Sequence, residues 1–207
     1  MRIYLIRHGE TVFNASRTIQ FPDTPLSERG LDQARRVAER LRELPITAIL
    51  SSDYARAHAT AQAVQAVTGA PLHVRESLRE RDLGDHRGTP FAELGVDVFA
   101  ADHCPPNGES WPQFHARVER AWREVCEFAA SAAGDFAVVS HALVCRALVD
   151  RCVPVPAHLR PLEIRFGNTA ITCIDGPPWE VSLLACCAHL PADQITYPTK
   201  FKGDAGV

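Results

Sequence analysis

Arg7, His8 and Gly9 follow directly on the apolar run Ile3-Tyr4-Leu5-Ile6. A neutral imidazole is a competent nucleophile near pH 7, and a neighbouring guanidinium is a fixed cation. A glycine beside them lets the backbone turn sharply and approach a ligand closely. An isolated Arg-His-Gly carries little information, but related groups recur. His141 follows the strand-like run Asp135-Phe136-Ala137-Val138-Val139-Ser140, and Arg56 lies just past Ser51-Ser52-Asp53. The charged stretch Glu76-Ser77-Leu78-Arg79-Glu80-Arg81-Asp82 would by itself read as an exposed loop. A nucleophile with fixed cations, recurring at the ends of several strands, is what a phosphoryl-transfer site needs.

These side chains need strands to deliver them to one place. Short β-favouring runs at 2–6, 46–50 and 135–140 read as buried strands whose carboxyl ends carry the polar groups, the edge at which open α/β sheets bind ligands. Further strands are expected at 71–75, 162–166, 170–175 and 179–188, with Gly176-Pro177-Pro178 as a turn. Helices are expected between them. One starts at the N-cap Ser27 and places Leu31, Ala34, Val37, Ala38, Leu41 and Leu44 at helical spacing before Pro45. A second runs from the cap cluster Ser51-Ser52-Asp53 to Thr68 and closes at Gly69. A third carries Phe114, Val118, Trp122, Val125 and Ala129 and ends near Gly134, and a fourth covers 142–152. Alternating strands and helices imply an α/β three-layer sandwich with a largely parallel central sheet. The segment 84–110, rich in Gly and Pro, reads as an irregular excursion that could act as a lid over one domain spanning 1–207; the last dozen residues read as loosely attached.

Composition narrows the classes. With 207 residues and 46% hydrophobic content the chain can bury one sizeable core. A net charge of -3 gives no general attraction to nucleic acid or acidic membranes, and no apolar run approaches the ~20 residues of a membrane span. No signal-peptide pattern is present, so a soluble, cytoplasmic protein is expected. Seven cysteines without CxxC spacing argue against a disulfide framework or a zinc site. Cys186-Cys187 reads as strand packing, with redox sensitivity as its alternative. Nine histidines form no HExxH, and the chain contains neither GxxxxGK[ST] nor GxGxxG.

Leu5-Ile6-Arg7-His8-Gly9-Glu10-Thr11 with Asn14 resembles the opening of the histidine phosphatase superfamily, the phosphoglycerate mutase-like proteins. The resemblance continues through Pro25-Leu26-Ser27-Glu28-Arg29-Gly30, Ser51-Ser52-Asp53 with Arg56 and Thr60-Ala61, and Glu80 ahead of Gly84 and Gly88. It closes with Gly108-Glu109-Ser110 and Val138-Val139-Ser140-His141, so the landmarks cover nearly the whole chain in order. The resemblance implies His8 as the nucleophile that becomes phosphorylated. Arg7, Arg56, His141 and Asn14, with the backbone N–H of Ala142, would bind the phosphoryl oxygens, and Glu80 would be the acid and then the base. It implies no cofactor and no metal. Ala142 stands where many members have Gly, and it retains the N–H.

The family holds phosphatases and mutases. A mutase needs cations in its lid to hold a second anionic group, yet 88–116 contains no Lys or Arg and carries Glu93, Asp97, Asp102 and Glu109. Leu83 also replaces the tyrosine known in mutases. The expectation is a metal-independent phosphomonoester hydrolase acting on a small phosphorylated metabolite. The alternatives are phosphoglycerate mutase-type transfer and a non-catalytic phospho-ligand binding module. Phe91, Phe99 and Trp111 could contact an apolar leaving group or pack in the core. An exposed edge strand could support a homodimer.

Overall fold

The computed structural model describes residues 1–161 and 163–196. Six strands form one sheet in the order β3-β2-β4-β1-β5-β6. They are β1 (Arg2–Arg7), β2 (Ala48–Ser51), β3 (Leu72–Val74), β4 (Phe136–Ser140), β5 (Ile171–Asp175) and β6 (Glu180–Cys186). The four strands from β3 to β1 are parallel, while β5 runs antiparallel to β1 and β6 antiparallel to β5. The register pairs Arg7 with Ser140 and Ser51 with Val139, so β1, β2 and β4 all end at the same edge.

Alternation along β1 divides the core. Ile3 and Leu5 pack with Leu50, Phe136 and Val138 against Phe114, Val118, Val125, Val144 and Leu148 of α4 (Trp111–Ser131) and α5 (Ala142–Arg151). Tyr4 and Ile6 point to the opposite face, against Val37, Ala38, Leu41, Ala57, Ala61 and Val64 of α2 (Glu28–Leu41) and α3 (Ala55–Thr68). That is the period of two expected of a strand buried on both sides. Each fully buried Leu, Ile or Phe contributes on the order of 1.5–3 kcal/mol, so both layers are firmly attached to the sheet.

The helix ends follow the expected chemistry at two of the sites. The Ser27 hydroxyl accepts the Gly30 N–H at 3.0 Å, and Gly69 closes α3 in the left-handed region at φ 69°. A short helical turn, α1 (Val12–Ala15), is also present, with Thr11 and Asn14 capping each other reciprocally.

Two expectations fail. Residues 163–166 form no strand, and 162 lies outside the described residues. The place beside β1 is taken by β5, and the Phe166 carbonyl instead accepts a bond from Arg7. Nor does Ser51-Ser52-Asp53 cap α3: its N-cap is Tyr54, with no side-chain cap bond, because Asp53 pairs with Arg79 and Ser52 is drawn to His141. The loose C-terminal dozen lies almost wholly at 197–207, outside the described residues. The excursion after Gly84 carries short 3₁₀ turns at Gly84–His86 and Phe91–Glu93 and its own apolar cluster of Ile19, Leu83 and Val98 with Phe91, Leu94 and Phe99.

Candidate active site

His8 leaves the end of β1 at only 2% exposure. Its Nδ1 lies 2.7 Å from the Gly9 carbonyl, and a carbonyl can only accept, so Nδ1 carries the proton. Nε2 is therefore the lone-pair nitrogen, and Arg56 Nε donates to it at 3.3 Å. Burial, then the Arg56 and Arg7 charges, hold the His8 pKa well below its ordinary value, so the ring is neutral. The strand end is fixed from three sides. Gly9 N–H donates to Thr60 Oγ1 at 3.1 Å, and Asn168 Nδ2 and Thr169 N–H donate to the His8 carbonyl at 3.1 and 3.3 Å. A Cβ on Gly30 would stand 1.9 Å from the Glu10 carbonyl oxygen, so only glycine lets α2 approach the loop this closely.

The cations converge on the same point. Arg7 is buried, with Nη1 donating to the Phe166 carbonyl at 2.7 Å and Nε without a partner among the described residues. Arg56 is 2% exposed, its Nη1 donates to the Phe21 carbonyl at 3.0 Å, and burial lowers its pKa to about 10, so it stays charged near neutrality. The His141 ring meets the His8 ring edge-on with centroids 5.1 Å apart. Its Nε2 is 2.9 Å from Ser52 Oγ, while its Nδ1 is buried without a partner among the described residues. Burial, then Arg56, hold its pKa well below the ordinary value.

Glu80 supplies the carboxyl group. Its oxygens accept the N–H groups of Arg81 at 3.0 Å and Leu143 at 3.2 Å. The side chain keeps contact with the cavity, yet desolvation outweighs those bonds and the nearby Arg56 and Arg7 charges and raises its pKa. The loop that presents it hangs on Arg117 of α4. That guanidinium donates to the carbonyls of Ser77 (2.9 Å), Arg79 (2.7 Å) and Glu80 (3.2 Å) while holding both oxygens of Glu109 at 2.7 Å.

His8, Arg7, Arg56 and Glu80 line one cavity of about 1090 Å³, together with Asn14, Ala142 and Asn168. Asn14 Oδ1 accepts the Thr11 N–H at 3.2 Å and Asn168 Nδ2 at 3.4 Å, which leaves its amide NH₂ as the group able to donate to a ligand. His141 is fully buried against the His8 ring and does not itself line the cavity. All seven residues singled out in the sequence thus belong to one neighbourhood. Ser52, Asn168 and Arg117 also act there: Ser52 belongs to the Ser51-Ser52-Asp53 motif, whereas nothing in the spacing of Asn168 or Arg117 marks them. No group of three or more His, Cys, Asp or Glu that could hold a metal occurs among the described residues.

A neutral, oriented imidazole between two buried guanidiniums and a carboxyl of raised pKa can take up a phosphoryl group and release an alcohol. The family model described as the histidine phosphatase superfamily (branch 1) matches residues 3–186. The chain belongs to the histidine phosphatase superfamily. It is an enzyme of the phosphatase and phosphoglycerate mutase-like type. This histidine phosphatase is 31% identical to the probable phosphoglycerate mutase GpmB of Enterobacter sp. (strain 638), covering 94% of this chain and 97% of that one. Among solved structures it is similar to the mycobacterial glucosyl-3-phosphoglycerate phosphatase in complex with VO3, with TM-score 0.74, 28% identity, and 88% and 97% of the two chains covered. It is likewise similar to the alpha-ribazole phosphatase of Shigella flexneri, with TM-score 0.77, 28% identity, and 90% and 96% covered. No helix among the described residues of this histidine phosphatase is long and apolar enough to cross a membrane.

Proposed function

We infer that the protein hydrolyses phosphate monoesters of small metabolites through a phosphohistidine on His8. The observation that carries this reading is the His8 tautomer: Nδ1 is committed to the Gly9 carbonyl, so Nε2 carries the lone pair, which accepts from Arg56 Nε at 3.3 Å until a phosphoryl group takes over that donor. Nε2 attacks phosphorus, the P–O ester bond breaks, and the leaving alkoxide takes the Glu80 proton. Water then gives its proton to the Glu80 carboxylate, attacks the phosphohistidine, and restores His8 with release of phosphate. Arg7, Arg56 and His141, with the Asn14 amide and the Ala142 N–H, stabilise the charge on the transferring group. Arg7 Nε, which has no partner among the described residues, is suited to donate there, since Arg7 lines the cavity. The reading takes 1–207 as one domain with 84–110 as its lid, needs no cofactor and no metal, and places the protein in the cytoplasm without nucleic-acid partners. A homodimer would form through an edge strand of the sheet, β3 or β6.

The GpmB relatives favour a second reading, phosphoglycerate mutase-type transfer. Against it stands a lid with no Lys or Arg from 88 to 116. The test is hydrolysis of p-nitrophenyl phosphate with EDTA present, beside His8→Ala. Activity that survives EDTA and disappears in the variant, with acid-labile phosphate trapped on His8 of the wild type, is expected. Loss of activity to EDTA would overturn the mechanism, and a mutase would transfer phosphate between phosphoglycerates faster than to water.

A further inference from the structure

The catalytic groups take up only one part of the 1090 Å³ cavity; the rest must receive whatever carries the phosphate. Much of that remaining lining is apolar: Phe13, Ile19, Leu83, Phe91, Val98 and Phe166. Ile19, Leu83 and Val98 are buried in the small cluster that includes Phe91, which stacks on Phe99 with centroids 5.8 Å apart. The wall is built in advance of any ligand. The loop around Arg17 and the lid are joined by an antiparallel bridge between Thr18 and Pro90, with Ile19 N–H donating to the Thr89 carbonyl at 3.0 Å and Gly88 N–H to the Ile19 carbonyl at 2.8 Å. Arg81 stacks 3.8 Å over Trp111 and ties down the carbonyls of Val98 and His103, each at 2.8 Å.

The cations around this wall are mostly matched already. Arg29 pairs with Glu10 at 3.7 Å, Arg87 with Asp82 at 2.6 Å, and Arg146 with Asp150. Arg17, at the rim, is the lining cation without a partner among the described residues outside the catalytic group. A second strongly anionic group would find Arg17 alone unmatched among these cations and would otherwise compete with the pairs, whereas an apolar ring gains contact without disturbing them.

We propose that the preferred leaving group is a largely apolar, ring-bearing alcohol, recognised by burial against the wall formed by Phe13, Phe91 and Val98. The proposal rests on the hydrolase reading above. It is tested with esters of primary alcohols of similar acidity, so that chemistry is matched and only the alcohol's body differs: 2-phenylethyl phosphate, glycerol 1-phosphate and 3-phosphoglycerate. The expected kcat/KM for 2-phenylethyl phosphate exceeds that for glycerol 1-phosphate by about 10- to 100-fold, the scale of discrimination an apolar pocket supplies. Phe91→Ala brings the ratio toward one. Should that variant fail to fold, Phe13→Ser carries the test with the same fall of the ratio expected, because Phe13 belongs to the same wall and is only half-buried. A flat panel overturns the proposal. So does a preference for 3-phosphoglycerate that disappears in Arg17→Ala, which would make Arg17 an anion anchor. If p-nitrophenyl phosphate is hydrolysed and His8 is phosphorylated in those cases, the hydrolase reading stands and only the leaving-group class is wrong. If neither occurs, both fall together.

Discussion

At the residue scale, one cause acts oppositely on two groups. Desolvation disfavours charge, so it lowers the pKa of His8 from the ordinary 6.5 and raises that of Glu80 from the ordinary 4.5. The first half-reaction needs His8 unprotonated and Glu80 protonated. Lowering the histidine pKa keeps the nucleophile free well into the acid range, and raising the carboxyl pKa keeps the acid protonated at higher pH than an exposed Glu would allow. Both shifts widen the window of the reactive state. Activity on alkyl phosphates is therefore expected to fall as pH rises through the Glu80 pKa. In Glu80→Gln that alkaline limb should flatten, with turnover down by roughly 100-fold or more. Profiles of kcat/KM between pH 4 and 9 decide it: an unchanged alkaline limb in the variant would remove Glu80 from the acid role.

At the scale of elements, the acid is carried by a loop but positioned by a helix. Arg117 projects from α4 and binds the carbonyls of Ser77, Arg79 and Glu80, while Glu109, at 20% side-chain exposure, neutralises it and also accepts the Asp82 N–H at 3.0 Å. Removing the guanidinium leaves those carbonyls without this donor and the Glu109 carboxylate with the Asp82 N–H but no countercharge. Arg117→Met is expected to cost roughly 2–4 kcal/mol of stability, measured by denaturant titration. It should also slow alkyl phosphates more than p-nitrophenyl phosphate, since only a poor leaving group depends on a well-placed acid. Equal slowing of both esters would mean that Arg117 supports the fold and nothing more.

At the scale of the whole molecule, folding collects buried positive charge at one sheet edge. Arg7 and Arg56 are 5% and 2% exposed, and neither forms an ion pair with a carboxylate among the described residues. The native state carries this cost because an oxyanion can relieve it, and an anion that binds only the folded chain stabilises it by mass action. Phosphate or vanadate at about 100 times its Kd should add about 2.7 kcal/mol and raise Tm by roughly 5–10 °C. The rise should persist in His8→Ala and shrink in Arg56→Met. No shift with either anion would argue against an oxyanion site at these arginines.

Strand β1, the two-sided core and the strand-end placement of His8 and His141 were legible in the sequence because local patterns dictate them. Apolar runs of strand length ending in polar groups need no knowledge of distant residues. The same holds for Ser27 and Gly69, whose capping roles depend on neighbours three or four positions away. What the sequence alone could not determine depends on competition between segments far apart in the chain. Residues 163–166 have strand-like character, but β5 holds the position beside β1 and leaves Phe166 to bind Arg7. Ser52 reads as a cap until His141, 89 residues away, takes its hydroxyl. Asn168 and Arg117 reach the site through contacts 160 and 37 residues distant, respectively, which no local period reveals. Sequence determined which groups could do chemistry and which strands end in them. Only the tertiary structure decided their tautomers, their burial and the apolar wall opposite, because those follow from which distant segments exclude water from one another.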